Sequence, residues 1–357
     1  MRIKSKIKDY SVFFESSIDF VELLIKEENS VYVIDSMIYE LYYEYFKGID
    51  AGRLFLLDAE EENKVIETAL RICEIVTQVP AKRNATLISV GGGITQDITG
   101  FVANIIYRGI KWIFVPTTLL AACDSCIGGK TSLNYKKYKN LLGTFYPPDE
   151  IHIYSPFFLT LSDKDYKSGL GEVVKFNIMR GETGLKNIEQ DLSKLLRKDK
   201  EVIDMYVKTS LEYKKTYIEI DEFDRGERVL LNYAHTFGHA IEVVSNYAIP
   251  HGTAVAIGMI MVNRVSACRG YLSDKFISRS ENLLLKIIDI DIEYLCSPFE
   301  NYISAIKKDK KQVDDGLTAV LMNRFGEESN LCVIHDLTQQ EIKESIDYFV
   351  SLYRRYK

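Results

Sequence analysis

Three of the chain's five histidines fall in one short stretch, with a spacing typical of a metal site. His235 and His239 are four residues apart, so on a helix both imidazoles project from one face, and His251 follows after a short loop. Imidazole nitrogens are common zinc ligands. The pattern favours a divalent metal site. Packed or capping histidines are the alternative, since His-x3-His is a short pattern.

A catalytic zinc ion takes about three protein ligands and keeps one position open, so a carboxylate is expected to complete the set. Glu172 is the candidate, because it lies among glycines and apolar residues three positions before Lys175. A carboxylate on a largely apolar helix is costly to bury unless it is paired or bound to metal. Taken alone, however, this segment is more simply interpreted as an exposed helical ion pair between Glu172 and Lys175.

The elements that must position these residues form two parts. The first part alternates short apolar runs with amphipathic segments, which indicates parallel strands joined by crossover helices. Strands are predicted over residues 30–35, 53–58, 85–90, 111–116 and 150–154, with a helix over 60–79. The remainder has helical periodicity almost throughout, with extended segments only at 318–322 and 330–335. The sequence therefore predicts an α/β domain over residues 1–158 and a helical domain over 159–357.

Two strand ends in the first domain carry nucleotide signals. Gly91-Gly92-Gly93 follows a predicted strand and precedes a helical pattern, so backbone N–H groups and the positive helix end could approach a pyrophosphate. The segment is not the dinucleotide fingerprint G-x-G-x-x-G, and a tight turn that needs positive φ explains it equally well. Thr117 and Thr118 end the next strand, where ligands of parallel sheets bind.

A phosphorylated substrate would need cationic donors, and several lysines and one arginine could supply them. Gly128-Gly129-Lys130 resembles the end of a P-loop, but Asp124 stands where the first glycine is required, so ATP hydrolysis is disfavoured. Read singly, such cations are usually solvated surface. The candidates are Arg108, Lys130, Lys139, Lys214, Lys310 and Lys311.

The composition limits the classes of function. A chain of 357 residues with a formal net charge of -6 is expected to be a globular protein that does not bind nucleic acid non-specifically. It has neither a long uncharged apolar run nor a signal-peptide pattern, so we expect a cytoplasmic protein without membrane partners. Cys123 and Cys126 match C-x-x-C, a redox or half-zinc pattern. No second C-x-x-C completes a site, which favours packed thiols.

Taken together, the segments from Glu61 to Gly326 resemble the 3-dehydroquinate synthase family of sugar-phosphate cyclases. The resemblance implies a Rossmann-like parallel-sheet domain that binds NAD, followed by a helical domain that holds zinc or cobalt. It also implies a homodimer. The activity it implies is that of a lyase, which forms 3-dehydroquinate and phosphate from 3-deoxy-D-arabino-heptulosonate 7-phosphate by transient oxidation, elimination and aldol closure.

The resemblance also implies roles for individual residues. The metal ligands would be Glu172, His235 and His251, with His239 contacting substrate instead. The nucleotide positions would be Asp35, Glu61, Lys64, Gly91, Gly92, Gly93, Asp97, Thr117, Thr118, Lys130, Lys139, Thr160 and Leu161. The catalytic and substrate positions would be Asp124, Lys130, Lys139, Asn140, Lys175, Lys214, Arg228, Asn232, His239, Lys310 and Lys311, with Arg108 reaching the neighbouring subunit.

Five details depart from the usual family pattern without removing a reacting group. They are Glu60, Thr95-Gln96, Tyr138, Ala234 and Thr253. They leave room for a paralogue that uses a related sugar phosphate in secondary or glycan metabolism. Two other classes are alternatives. One is a metal-dependent polyol dehydrogenase, although an uncharged polyol needs no group of cationic side chains. The other is a non-catalytic nucleotide-binding or regulatory homologue, although a full set of metal ligands and phosphate donors argues against an idle site.

Overall fold

The computed structural model describes residues 1–27, 29–136, 138–308 and 316–357. The chain forms two compact units, Met1–Thr160 and Leu161–Lys357. Two of the predicted substrate residues, Lys310 and Lys311, lie outside the described residues. Within the described part of the chain, no helix combines the length and apolar character needed to cross a membrane.

The first unit is built on a seven-stranded sheet with a separate two-stranded hairpin. Its strands are β1 (Arg2–Ile3), β2 (Tyr10–Phe14), β3 (Ser30–Asp35), β4 (Leu54–Leu57), β5 (Thr86–Gly91), β6 (Lys111–Pro116), β7 (Lys130–Tyr135), β8 (Tyr138–Phe145) and β9 (Glu150–Ile153). Its α-helices are α1 (Phe20–Ile25), α2 (Ser36–Leu41), α3 (Tyr43–Phe46), α4 (Ile66–Gln78) and α5 (Gly93–Ile105). The sheet order is β1-β2-β9-β6-β5-β3-β4, and only the β1–β2 pair is antiparallel.

The central strands β3, β5 and β6 end at one edge of this sheet. They are buried on both faces, as expected of a parallel sheet covered by helices. Ile34 pairs with Val90 and Gly91 with Pro116, so the following loops begin side by side. The chain places β4 on one side of β3 and β5 on the other, which makes this edge the switch point where open α/β sheets bind ligands.

Part of the first unit was not predicted from the sequence. The strands β1 and β2 and the hairpin β7–β8 were not predicted. The hairpin was missed because its strands carry many polar, exposed residues and lack an apolar run. The helix predicted over 60–79 was too long at its start. A 3₁₀ turn, Glu61–Asn63, precedes α4, whose first residue is Ile66.

The described residues of the second unit form helices and one antiparallel strand pair. Its helices are α6 (Asp163–Met179), α7 (Glu182–Leu196), α8 (Lys200–Ile220), α9 (His235–Val244), α10 (His251–Cys268), α11 (Asp274–Leu284), α12 (Phe299–Lys308) and α13 (Gln339–Tyr356). The strands are β10 (Leu317–Arg324) and β11 (Asn330–Leu337). Helix α10 is buried on nearly all sides because α6, α9 and α13 pack around it. The predicted fold class is confirmed.

Acid is expected to weaken the second unit through the ion pair of Arg269 and Glu341. Arg269 donates to both Glu341 oxygens at 2.7 and 3.0 Å and lowers the pKa of that carboxyl to about 2. Its unfolded pKa is higher, so the ionised carboxylate stabilises the fold above about pH 5, and this contribution is lost as the pH falls toward 2. In urea titrations, Glu341→Gln should therefore reduce the stability difference between pH 7 and pH 3 by about 1.5 kcal/mol.

Glu344→Gln is the matched control, because Glu344 lies exposed on the same helix, α13. The control should keep the pH dependence of the unmodified protein. Equal pH dependence in both variants would contradict the role of the Arg269–Glu341 pair.

Candidate active site

Three side chains of the second unit converge as a metal site requires. Glu172 lies on α6, His235 is the first residue of α9, and His251 is the first residue of α10. Glu172 Oε1 lies 3.6 Å from His235 Nε2 and 3.4 Å from His251 Nε2. Their ligand atoms all lie within 4.8 Å of one another. We call this set the histidine–glutamate cluster.

Close helix packing brings the cluster together. A Cβ on Gly171 would lie 2.0 Å from the carbonyl oxygen of Gly252, so neither helix could keep this crossing with a larger residue there. Gly171 precedes Glu172 and Gly252 follows His251, and the close approach of α6 and α10 therefore sets these two ligands side by side. Ala234, one of the departures from the family pattern, has a left-handed φ of 70° and turns the chain into α9 at His235.

Two carboxylates, Glu172 of the cluster and Glu242 beside it, lie against His251 and favour positive charge there. Glu172 is fully buried, and Lys175 Nζ lies 2.6 Å from its Oε2 and donates to the Leu231 carbonyl at 3.1 Å. Burial lowers the pKa of His251, but the carboxylates of Glu242 and Glu172 outweigh it and raise the pKa to about 10. A bound divalent ion would supply the positive charge that this surrounding favours.

The donor set fits zinc. One carboxylate and two imidazoles form a ligand set found in catalytic zinc sites, which leave a fourth position for substrate. His239 falls outside this set, and with Glu242 and His251 it forms a second group of ligand atoms within 4.8 Å. Its ring centroid lies 5.4 Å from that of His235, so His239 does lie beside the cluster.

The other predicted substrate residues of the second unit lie on two nearby elements. Arg228 and Asn232 belong to a 3₁₀ segment, Glu227–Asn232, that ends three residues before His235. Arg228 is buried, and its guanidinium donates to the Glu222 carbonyl. Lys214 is buried on α8. The structure thus places both of these cationic side chains in the interior of this unit.

In the first unit, the predicted nucleotide residues line the switch-point edge of the sheet. Asp35 ends β3, and its carboxylate accepts the Met37 N–H at 3.0 Å as the N-cap of α2. Burial raises the pKa of Asp35. Thr117 N donates to the Gly91 carbonyl at 2.9 Å, and a Cβ on Gly92 would lie 3.0 Å from Thr118 Cγ2. The glycine turn and the two threonines are therefore in contact, with Gly93 starting α5.

Five predicted residues meet beside this edge in a polar network that includes the hairpin. Lys64 forms an ion pair with Asp97 and donates to Asn140 Oδ1 at 2.6 Å. Lys139 Nζ lies 3.4 Å from Glu61 Oε1.

Two residues that the sequence reading missed, Ser132 and Asn134, complete this network. Ser132 donates to Asp97 at 3.1 Å and to Asn140 at 2.8 Å, and Asn134 donates to Glu61 at 2.8 Å. Their alternation along β7 was the only available signal.

The remaining predicted residues belong to other segments of the chain. Asp124 belongs to a π-helical turn, Ala121–Ser125. The side-chain amide of Gln96 holds this turn, because it donates to the Ser125 carbonyl at 2.7 Å and accepts from the Ser125 hydroxyl at 2.6 Å. Lys130, Arg108 and Thr160 are exposed. The Leu161 carbonyl accepts from Lys198 at 2.8 Å.

The thiols of the C-x-x-C pair are packed in the interior. Cys123 and Cys126 are buried. Their sulfur atoms lie 3.7 and 3.3 Å from the carbonyl oxygens of Leu120 and Ala122. This arrangement agrees with the interpretation as packed thiols.

Two family models together match residues 54–312, and named relatives match nearly the whole chain. The models described as 3-dehydroquinate synthase N-terminal and 3-dehydroquinate synthase C-terminal match residues 54–168 and 169–312. The 3-dehydroquinate synthase of Clostridium tetani (strain Massachusetts / E88) is 35% identical, covering 95% of this chain and 93% of the relative. That of Caldanaerobacter subterraneus subsp. tengcongensis is 36% identical, covering 89% and 92%.

Two solved cyclases share the fold over nearly their full length. The 2-epi-5-epi-valiolone synthase of Streptomyces hygroscopicus subsp. jinggangensis 5008, with NAD+ and Zn2+ bound, is 23% identical with a TM-score of 0.85 and 98% of each chain covered. A 2-deoxy-scyllo-inosose synthase complexed with carbaglucose-6-phosphate, NAD+ and Co2+ is 25% identical with a TM-score of 0.84, covering 98% of this chain and 99% of that one. The resemblance noted from the sequence motifs is confirmed.

Proposed function

The chain belongs to the 3-dehydroquinate synthase family, and we propose that it converts 3-deoxy-D-arabino-heptulosonate 7-phosphate to 3-dehydroquinate and phosphate. It would thus act as a carbon–oxygen lyase of the shikimate pathway. The observation that carries the proposal is the convergence of Glu172, His235 and His251 in a chain 35% identical to a named 3-dehydroquinate synthase over 95% of its length.

The reaction has a fixed order of chemical events. A ring carbinol is oxidised transiently, which makes the neighbouring C–H acidic enough for phosphate to be eliminated. The carbinol is then restored, the ring opens, and an intramolecular aldol addition closes the carbocycle. No net oxidation results, so a catalytic complement of NAD suffices.

Glu172, His235 and His251 would hold the metal, which structural relatives of this chain contain as Zn2+ or Co2+. When bound, the ion would supply a Lewis acid that stabilises negative charge on substrate oxygens. Lys175 holds the Glu172 carboxylate in place through their 2.6 Å contact. We assign metal and substrate binding to residues 159–357.

Residues 1–158 would hold NAD at the switch-point edge. Bound NAD would supply a hydride acceptor that is regenerated in the same catalytic cycle. The glycine turn at Gly91–Gly93 offers backbone N–H groups and the positive end of α5 to the pyrophosphate. The same edge offers the carboxylate of Asp35 and the hydroxyls of Thr117 and Thr118. The remaining residues that we assign to nucleotide binding are Glu61, Lys64, Asp97, Lys130, Lys139, Thr160 and Leu161.

The side chains that the family resemblance assigns to substrate would recognise an acidic, phosphorylated molecule. Arg228 offers a planar, bidentate donor to the substrate carboxylate and Lys214 a point charge. Asn232 and His239 would hydrogen-bond ring hydroxyls beside the metal. The assigned phosphate and remaining substrate contacts are Arg108, Asp124, Lys130, Lys139, Asn140, Lys310 and Lys311. We further propose a cytoplasmic homodimer, in which Arg108 reaches the neighbouring subunit.

The first test is phosphate release by the purified protein with NAD and zinc. Rapid release from 3-deoxy-D-arabino-heptulosonate 7-phosphate, with no net rise in NADH absorbance, is the expected result. Sedoheptulose 7-phosphate serves as the control, since it lacks the carboxylate that Arg228 would bind. Release only from the control would identify a paralogous cyclase, net NADH from a polyol would identify a dehydrogenase, and silence with the acid would refute the proposed substrate.

A further inference from the structure

We propose that Glu242 is a positioning residue that orients His251 toward the metal, an inference that rests on the proposed function. Glu242 lies on α9, one helix away from His251 at the start of α10. Its Oε2 atom lies 3.0 Å from Nδ1 of His251, and its side chain is only 15% exposed. A carboxylate in this position accepts the Nδ1–H hydrogen of the imidazole.

The companion histidine of the cluster has the same arrangement. Nδ1 of His235 lies 3.0 Å from the backbone carbonyl of Tyr233. A carbonyl oxygen can only accept, so Nδ1 of His235 carries the hydrogen and the Nε2 lone pair faces Glu172. The Tyr233 ring is fully buried and its hydroxyl donates to Asn263, which holds that carbonyl in a rigid surrounding.

The two histidines therefore present the same nitrogen to the metal. In both, Nδ1 is held by an acceptor outside the ligand set and Nε2 points toward Glu172 Oε1, at 3.6 Å for His235 and 3.4 Å for His251. The two hydrogen-bond acceptors differ, because a backbone carbonyl holds Nδ1 of His235 whereas the Glu242 side chain holds Nδ1 of His251. Only the support of His251 can be removed by substitution, and His235 then serves as an internal reference.

Glu242 could instead be read as a ligand, together with His239 and His251. Glu242 Oε2 already lies at hydrogen-bond distance, 3.0 Å, from His251 Nδ1, whereas Glu172 Oε1 faces the other nitrogen, Nε2, at 3.4 Å. That reading would also leave the fully buried carboxylate of Glu172 outside the ligand set, although Nε2 of His251 points toward that carboxylate. The geometry assigns Glu242 to support and Glu172 to ligation.

Losing this support should weaken metal binding without changing the ligand set. An imidazole whose Nδ1 has no fixed acceptor samples other ring orientations and both tautomers, and metal binding must then select one of them. Substitutions of such supporting groups typically weaken metal affinity about 10- to 100-fold. We expect Glu242→Ala to fall in this range, and Glu242→Gln to lose less because its amide oxygen can still accept.

The experiment compares the unmodified protein with Glu242→Ala, Glu242→Gln and Val243→Ala. Val243 is the matched control, since it is exposed on the same helix. Zinc affinity of the metal-free proteins is measured by chelator competition, and the ligand set is read from the visible absorbance of the Co2+ forms. Circular dichroism and melting temperatures of the metal-free forms identify any variant whose fold has changed, and the isosteric glutamine variant provides a second measurement in that case.

Weaker zinc binding in the Glu242 variants only, with unchanged cobalt bands, is the expected result. Equal zinc affinity in all four proteins would overturn the proposal, and shifted cobalt bands would overturn it by making Glu242 a ligand itself. Absence of zinc binding in the unmodified protein would refute the metal assignment of the proposed function, and Glu242 would lose its role with it. The failures of the two proposals are therefore distinguishable.

Discussion

Replacing Glu172 with glutamine is expected to abolish tight zinc binding and to lower turnover about 1,000-fold or more, equivalent to about 4 kcal/mol of transition-state stabilisation. The carboxylate is the only anionic member of the cluster of Glu172, His235 and His251. An amide binds divalent zinc far more weakly than a carboxylate does, and the remaining two imidazoles do not complete a catalytic set. Chelator competition and phosphate release measure the two effects.

The same substitution should also destabilise the fold, and a double variant separates this effect from catalysis. Glu172→Gln leaves the buried ammonium of Lys175 without its 2.6 Å carboxylate partner, which is expected to lower the free energy of unfolding by about 3 kcal/mol. Glu172→Gln combined with Lys175→Met removes both charges and should recover most of that stability, because apolar replacement of a buried pair is often neutral. Zinc binding should remain absent in the double variant.

Zinc affinity equal to that of the unmodified protein in either variant would contradict the ligand assignment of Glu172. Full recovery of turnover in the double variant would mean that the loss in the single variant came from the stranded lysine charge. Both results would require another carboxylate in the metal set.

Lys64→Met is expected to produce the largest change in the first unit. Lys64 is buried, pairs with Asp97 and donates to Asn140 Oδ1 at 2.6 Å. Its removal leaves the Asp97 carboxylate with the Ser132 hydroxyl but without a cation, at an expected cost of about 3 kcal/mol in the free energy of unfolding. The network also borders the proposed nucleotide edge, so NAD affinity should fall by at least about tenfold. Urea unfolding and NAD titration measure the two quantities.

Lys111→Met provides the matched control for Lys64→Met. Lys111 pairs with Glu150 at 2.9 Å in the same unit, but nearly half of its side chain is exposed. An exposed ion pair contributes about 0–1 kcal/mol, so this variant should stay close to the unmodified protein in stability and NAD affinity. Similar losses in both lysine variants would show that the buried network has no special role.

Much of the first unit could be predicted from local patterns. The strands β3, β5, β6 and β9 are apolar runs between turn signals, and Gly91–Gly93 and Thr117 were assigned to one edge because parallel strands end together. Asp35, at the end of β3, was assigned through the family resemblance. The hairpin β7–β8 escaped prediction since its exposed, polar strands do not alternate strongly in hydropathy. Ser132 and Asn134 were missed for the same reason, although they complete the network around Asp97.

The candidate metal site shows the limit of local patterns most clearly. Residue types and spacing singled out His235, His239 and His251 and offered Glu172 as a carboxylate ligand, whereas only the resemblance to a family placed His239 outside the ligand set. Their convergence depends on α6 and α10 crossing at Gly171 and Gly252, a contact between residues far apart in the chain.

The sequence by itself determined the family and predicted a two-part architecture and a set of reacting groups, since these depend on periodicity, strand-end chemistry and ordered motifs. Only the tertiary structure decided which nitrogen of each histidine faces Glu172, that Glu242 lies against His251, and that Lys175 is a buried partner of Glu172 and not an exposed one. The physical reason is that ring orientation and burial are set by packing between helices, which local sequence patterns do not specify.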